Sequence, residues 1–132
     1  VIKLISRKPE LKIKPKCKRD KGDTMVIKEN DAKVTVLSDL VTRTLMVHND
    51  KMMMIRFDFK KGGIGDPHSH EIHDQVGYIL SGKFELTCGG ETTLVEAGDS
   101  YLANPGVVHG VVALEDGAIL DVFTPIRDEF IV

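Results

Sequence analysis

From residue 33 onward the chain is a series of short apolar or alternating runs, at 33–37, 40–47, 52–59, 76–80, 83–88, 92–96, 100–103, 107–113 and 118–124. From residue 62 onward glycine or proline interrupts it at least once every ten residues or so. Alternation with a period of two over four to eight residues is the signature of a half-buried strand. No window of ten or more residues carries a 3.6-residue period, so helix is a minor component. With 132 residues the chain builds one hydrophobic core and one domain. Many short strands around one core resolve into an all-β sandwich or barrel. In Cys88-Gly89-Gly90-Glu91 two glycines supply positive φ angles, which predicts a two-residue hairpin turn joining 83–88 to 91–96. No segment repeats at a fixed length, which excludes solenoids and propellers.

A content of 42% apolar and 29% charged residues excludes collagen-like, coiled-coil and disordered classes. The charge is unevenly placed. Residues 1–22 carry nine Lys or Arg against Glu10 and Asp20, and the rest carries nine basic and eighteen acidic residues. A net charge of −2 therefore conceals +7 on the first segment and −9 on the remainder. We read residues 1–24 as a basic arm and 25–132 as the globular body. The arm lacks interleaved aromatics and helical periodicity, which argues against nucleic acid as a partner. It is read instead as an added edge strand, at 1–5 or 11–14, or as a translated upstream segment with Met25 as the initiator. The longest uncharged stretch, 101–114, is broken by Pro105, Gly106, His109 and Gly110 and is too short to span a bilayer. Residues 1–5 are followed by basic residues, the wrong order for a secretory signal. Cys17 and Cys88 form no CxxC pair, in keeping with a reducing compartment, and a cytoplasmic location is expected. Cys88 shares parity with Phe84 and Leu86 and reads as a small buried hydrophobe.

Three of the five histidines fall within six residues, in Pro67-His68-Ser69-His70-Glu71-Ile72-His73-Asp74-Gln75. On a strand His68 and His70 project to one face, so both imidazoles can reach the same metal ion. A further ligand must come from a loop or another strand, and the candidates are His73, Gln75 and the distant His109.

The wider pattern is Gly62-x5-His68-x-His70-x4-Gln75-x6-Gly82, then fifteen residues, then Gly98-x6-Pro105-Gly106-x2-His109. Over residues 45–125 it resembles the two motifs of the cupin superfamily. That resemblance implies a single-domain double-stranded β-helix, a jelly-roll barrel holding one divalent transition metal (Ni, Zn, Fe, Co or Mn). It also implies His68, His70, Gln75 and His109 as the metal ligands. His73 is left at the cavity mouth or behind the ligands. The sequence departs from the family pattern in having Gln75 where Glu is usual, Ala113 where Asn is frequent, and one extra residue between Gly98 and Pro105. A neutral amide ligand leaves the full charge on the ion and removes a metal-bound base, favouring Lewis-acid over redox chemistry.

In the last segment, Leu120-Asp121-Val122-Phe123-Thr124-Pro125-Ile126-Arg127, alternation puts Asp121 and Phe123 on one face. If that face lines the lumen, burial raises the pKa of Asp121 while a nearby cation lowers it. Asp121 also reads as a hydrogen-bonded edge acid, and Phe123 as plain core. Arg127 can grip a carboxylate bidentately or pair with Asp128 or Glu129 on the surface. These residues, with 74–82, 89–92 and 98–101, are similar to those of the pectin-degradation cupins, which linearise 4,5-unsaturated monouronates from pectin or alginate. The resemblance implies Asp121 as proton carrier, Arg127 on the carboxylate of a small sugar substrate and Phe123 against the sugar. It also implies a homodimer, in which the arm joins the neighbouring barrel. A metal-dependent dioxygenase and a non-enzymatic sugar-binding cupin are the competing expectations.

Overall fold

The computed structural model describes residues 26–131. The arm at 1–24, Cys17 and Met25 lie outside the described residues, and with them the proposals for an edge strand and an initiator. Ten strands follow a short 3₁₀ turn at Glu29–Asp31: β1 Lys33–Ser38, β2 Val41–His48, β3 Met53–Phe59, β4 Ile64–His68, β5 Asp74–Ser81, β6 Lys83–Cys88, β7 Glu91–Glu96, β8 Ser100–Ala103, β9 His109–Ala113 and β10 Gly117–Thr124. A second 3₁₀ turn, Asp128–Phe130, folds back beyond β10. The strands form two antiparallel sheets, one ordered β1-β2-β3-β10-β5-β8 and the other β4-β9-β6-β7. The nine alternating runs read from the sequence all become strands. The hairpin turn is present as expected, with Gly89 at φ 61° and Gly90 at φ 85° and Cys88 paired with Glu91.

Strand β4 is the one without a sequence signal, because Ile-Gly-Asp-Pro-His carries no apolar alternation. Its edge position tolerates Pro67, which has no N–H to offer a neighbour. As a result His68 closes a strand while His70 sits two residues beyond it, rather than both lying within one strand. Inward-facing side chains from the two sheets form the main core: Val41, Phe59, Ile79, Phe84, Leu86, Val95, Ala113 and Ile119. A smaller cluster of Met53, Ile55, Phe123 and Phe130 lies beside the histidines. Cys88 is half-buried and packs against the main core, as its parity indicates.

One backbone approach positions the site. Gly77 on β5 pairs with Tyr101 of β8 on one side and with Asp121 of β10 on the other. A Cβ at position 77 would sit inside the Tyr101 ring and 2.7 Å from the Asp121 Oδ1. The phenol ring occupies the space a side chain would need, which lets it cross β5 toward Asp121. Gly77→Ala should therefore cost about 1–3 kcal/mol through forced displacement in a packed interior. Urea unfolding checks this, and a wild-type midpoint in the alanine variant would show that the ring can move aside freely.

Candidate metal centre and its cavity

His68 at the end of β4 pairs across the sheet with His109 at the start of β9, and His70 comes from the loop after β4. One ring nitrogen from each lies within 4.8 Å of the others. The Nδ1–H of His68 donates to the Asp66 carbonyl at 2.7 Å, and that of His109 to the Val107 carbonyl at 3.0 Å. A carbonyl only accepts, so these bonds fix the tautomer and leave the Nε2 lone pairs free to ligate. The Nε2 of His70 is buried without a hydrogen-bond partner. The His70 ring is held edge-on by Phe123 at 5.8 Å and by His73 at 5.6 Å. His73 donates from Nε2 to the Ile126 carbonyl at 3.0 Å, tying the His70 loop to the segment after β10. Sequence left His73 at the mouth or behind the ligands, and here it positions His70.

A chain of hydrogen bonds runs away from this cluster. The Nε2 of His109 faces the Oε1 of Gln75 at 2.9 Å, Gln75 Nε2 donates to the Tyr101 oxygen at 2.9 Å, and the Tyr101 hydroxyl donates to Asp121 Oδ1 at 2.7 Å. With Nδ1–H of His109 committed to Val107, two lone pairs converge between His109 and Gln75. A proton does not resolve this near neutral pH, because burial above all, then His68 and Arg127, lowers the His109 pKa despite its bond to Val107. His70 is pushed down to about 4, first by burial and then by the charge of Arg127 and the neighbouring imidazoles. Metal binding requires imidazoles in the neutral form, and both shifts favour that form for His70 and His109. Together with the orphaned His70 nitrogen, they make a site whose donors fit a late first-row divalent ion.

At the far end of the chain Asp121 is buried, and desolvation raises its pKa to about 6 against the opposing hydrogen bonds of Tyr101 and Gln75. The Tyr101 phenol is pushed well above its usual range by the same burial and by Asp121, so it remains a neutral donor. A cavity of about 400 Å³ is lined by His68, His109, Gln75, Asp121, Phe123 and Arg127 among others. Both nitrogens on one edge of the Arg127 guanidinium bind Glu129 Oε1, at 2.8 and 2.7 Å, and its carbon lies 4.1 Å from the Phe130 ring centre. Its backbone N–H meets Met53 Sδ at 3.2 Å. The surface-pair alternative for Arg127 is thus realised with Glu129 while the residue also lines the cavity. Phe123 is core by burial and at the same time the wall behind His70.

The eight residues singled out in the sequence, His73 included, gather in and beside one cavity. Sequence reasoning missed Tyr101, Arg43 and Phe130. For Arg43 a signal existed: in Val41-Thr-Arg-Thr-Leu45 a charge occupies the middle of three same-face positions whose neighbours are apolar. Phe130 and Tyr101 carried none, because their roles depend on which strands become neighbours.

Residues 55–123 match the cupin domain family, and this chain belongs to it. Within that class it is 43% identical over 96 residues to the pectin degradation protein KdgF of Dickeya dadantii, covering 72% of this chain and 87% of the relative. Among solved structures it resembles KdgF from a Halomonas species, with a TM-score of 0.76 and 33% identity over 80% of this chain and 96% of that one. An RmlC-like cupin from Shewanella frigidimarina gives the same TM-score at 29% identity, covering 80% of this chain and 95% of that one. No helix among the described residues is long and apolar enough to cross a membrane.

The two sets of shifted groups pull stability in opposite directions. Asp121 rises from 3.8 to about 6, so its contribution is complete below 3.8 and is lost as pH climbs through 6. His70 falls from 6.5 to about 4, so its contribution is complete above 6.5 and is lost as pH drops toward 4. Asp121→Asn removes only the first. In chelated protein the stability of this variant relative to wild type should grow by about 2.5 kcal/mol from pH 4 to 7.5, at about 1.4 kcal/mol per pKa unit. Urea unfolding across that range measures it, and a pH-independent difference would contradict the burial of an ionisable Asp121.

Proposed function

We propose that the protein opens the ring of 4,5-unsaturated monouronates, converting a 4-deoxy-hex-4-enopyranuronate to the linear 4-deoxy-5-keto uronate. The observation that carries this is Asp121: a buried carboxyl whose pKa lies near neutrality, joined through Tyr101 and Gln75 to the histidine cluster and facing the same cavity. Similarity to two KdgF proteins, one named for pectin degradation, supports the substrate class.

The reaction is redox-neutral. The hemiacetal hydroxyl loses its proton, the bond from C1 to the ring oxygen breaks, and the resulting enolate takes that proton at C4 as C5 becomes a ketone. We assign His68, His70, His109 and the Gln75 carbonyl oxygen as the holders of a divalent ion, with Ni, Zn, Fe, Co and Mn all suited to the donors. Such an ion supplies Lewis acidity toward substrate oxygens. Asp121 takes the hemiacetal proton and delivers a proton to C4, a task suited to a carboxyl poised near the working pH. Tyr101 holds one Asp121 oxygen and leaves the other for substrate. Gln75 is oriented in turn by Tyr101, so its amide oxygen points at the histidines. Phe123 and Phe130 give the sugar an apolar wall, and Arg127 lies on the side that receives the carboxylate. The reading includes a cytoplasmic homodimer. Exposed Val76, Tyr78, Leu80 and Leu102 on the outer face of the six-stranded sheet support self-association, and a single-chain mass by light scattering would reject it.

Metal-loaded protein should speed the loss of conjugated ultraviolet absorbance from freshly released unsaturated monouronate, and a chelated control should not. Asp121→Asn should retain its metal content and slow ring opening by about 100-fold or more, the usual worth of a positioned acid–base group. Unchanged turnover would remove Asp121 from the mechanism. Oxygen uptake in the same assay would point to a dioxygenase, and binding without turnover to a sugar-binding cupin.

A further inference from the structure

Arg43 sits where an arginine has no structural reason to be. Its β2 register, opposite Phe57 of β3, places it between Val41 and Leu45 on the core-facing side of the sheet, and it lines the cavity. Its guanidinium carbon lies 4.0 Å from the centre of the Phe130 ring, the same ring that Arg127 covers at 4.1 Å. The two cations differ in what else they touch. Arg127 has Glu129 on its Nε and Nη2, whereas Arg43 has no hydrogen-bond or ion-pair partner among the described residues. Burial and the facing Arg127 charge both lower the Arg43 pKa, with Glu129 a smaller opposing influence. A guanidinium stays charged in proteins, so these effects are a cost borne by the cation itself. A ring face offsets part of it and leaves five N–H donors unanswered.

An anion with two coplanar oxygens answers that deficit, since the guanidinium fork matches a carboxylate bidentately. We propose that Arg43 is the carboxylate-recognition residue of this cavity and selects acidic over neutral monosaccharides. Arg127, with one edge held by Glu129, walls the cavity and adds its charge to the field there. Both guanidiniums pack on the Phe130 ring. This rests on the reading above in taking the ligand to be a carboxylated sugar, yet the Arg43 site can be tested without turnover.

The test is calorimetric titration of metal-loaded protein with D-galacturonate and D-glucuronate against D-galactose and D-glucose. Wild type should bind the acids at least tenfold more tightly than their neutral counterparts. Arg43→Gln should lose that preference by weakening the acids alone, and Arg43→Lys, which keeps the charge without the fork, should fall between. A wild type without preference, a preference that survives Arg43→Gln, or equal weakening of acids and neutral sugars would each overturn the proposal. In the ring-opening assay Arg43→Gln should raise KM for the unsaturated monouronate at least tenfold, with the larger part of the loss in kcat/KM lying in KM. Acid selectivity that depends on Arg43 in a protein that opens no ring would defeat the proposed activity and leave this site standing. Ring opening with KM unmoved by Arg43→Gln would do the reverse.

Discussion

The hydrogen bond from the Tyr101 phenol to Asp121 exists because β5 carries glycine at the one position where a side chain would fill the phenol's place. Tyr101, Gly77, Asp121 and Ile55 form a single row across β8, β5, β10 and β3. With Gly77 in that row, an aromatic ring crosses the middle strand and connects its two neighbours. Buried polar groups are costly unless each has a partner, and here each partner is supplied by the next residue along. Tyr101 holds Asp121 and accepts from Gln75, whose amide oxygen is thereby turned toward His109. The orientation of a neutral donor beside the histidines is thus set by a contact on the opposite side of the strand that carries it.

Electrostatics work in the same direction. The body of the protein is acidic, yet the charges facing this cavity include two arginines. Arg127 helps keep His70 and His109 unprotonated, and burial does the greater share. A cation at the rim therefore serves the interior twice, by holding lone pairs available on the imidazoles and by making the entrance hospitable to a negative group. Burial raises Asp121, and the hydrogen bond from Tyr101 only partly compensates.

The strands were legible because alternation is a local property, and so was the parity that put Asp121 and Phe123 on the inner face. The histidines were legible because few residue types ligate metals and their spacing is short. Strand β4 was not, since glycine and proline at an edge leave no periodic trace. Nor were Tyr101 and Phe130, whose importance comes from β8 lying beside β5 and from the chain folding back after β10, facts of topology that no window of sequence contains. Arg43 is the instructive case. A charge on an apolar face was visible in the letters, but only the cavity beside it and the missing counter-ion give that irregularity a meaning.

The order of strands also bears on how such a chain is made. β10 is the final strand of the described chain, but it lies in the interior of the larger sheet, between β3 and β5. During synthesis, both of those strands present open edges until residues 117–124 emerge. Unpaired strand edges are sites for pairing with other chains, and nascent proteins are most vulnerable while they persist. His68 and His70 are translated well before this happens, so a growing chain contains ligands without a barrel to arrange them. Closing the sheet and delivering Asp121 and Phe123 are a single late event, which makes assembly of the interior and protection from aggregation the work of the same eight residues.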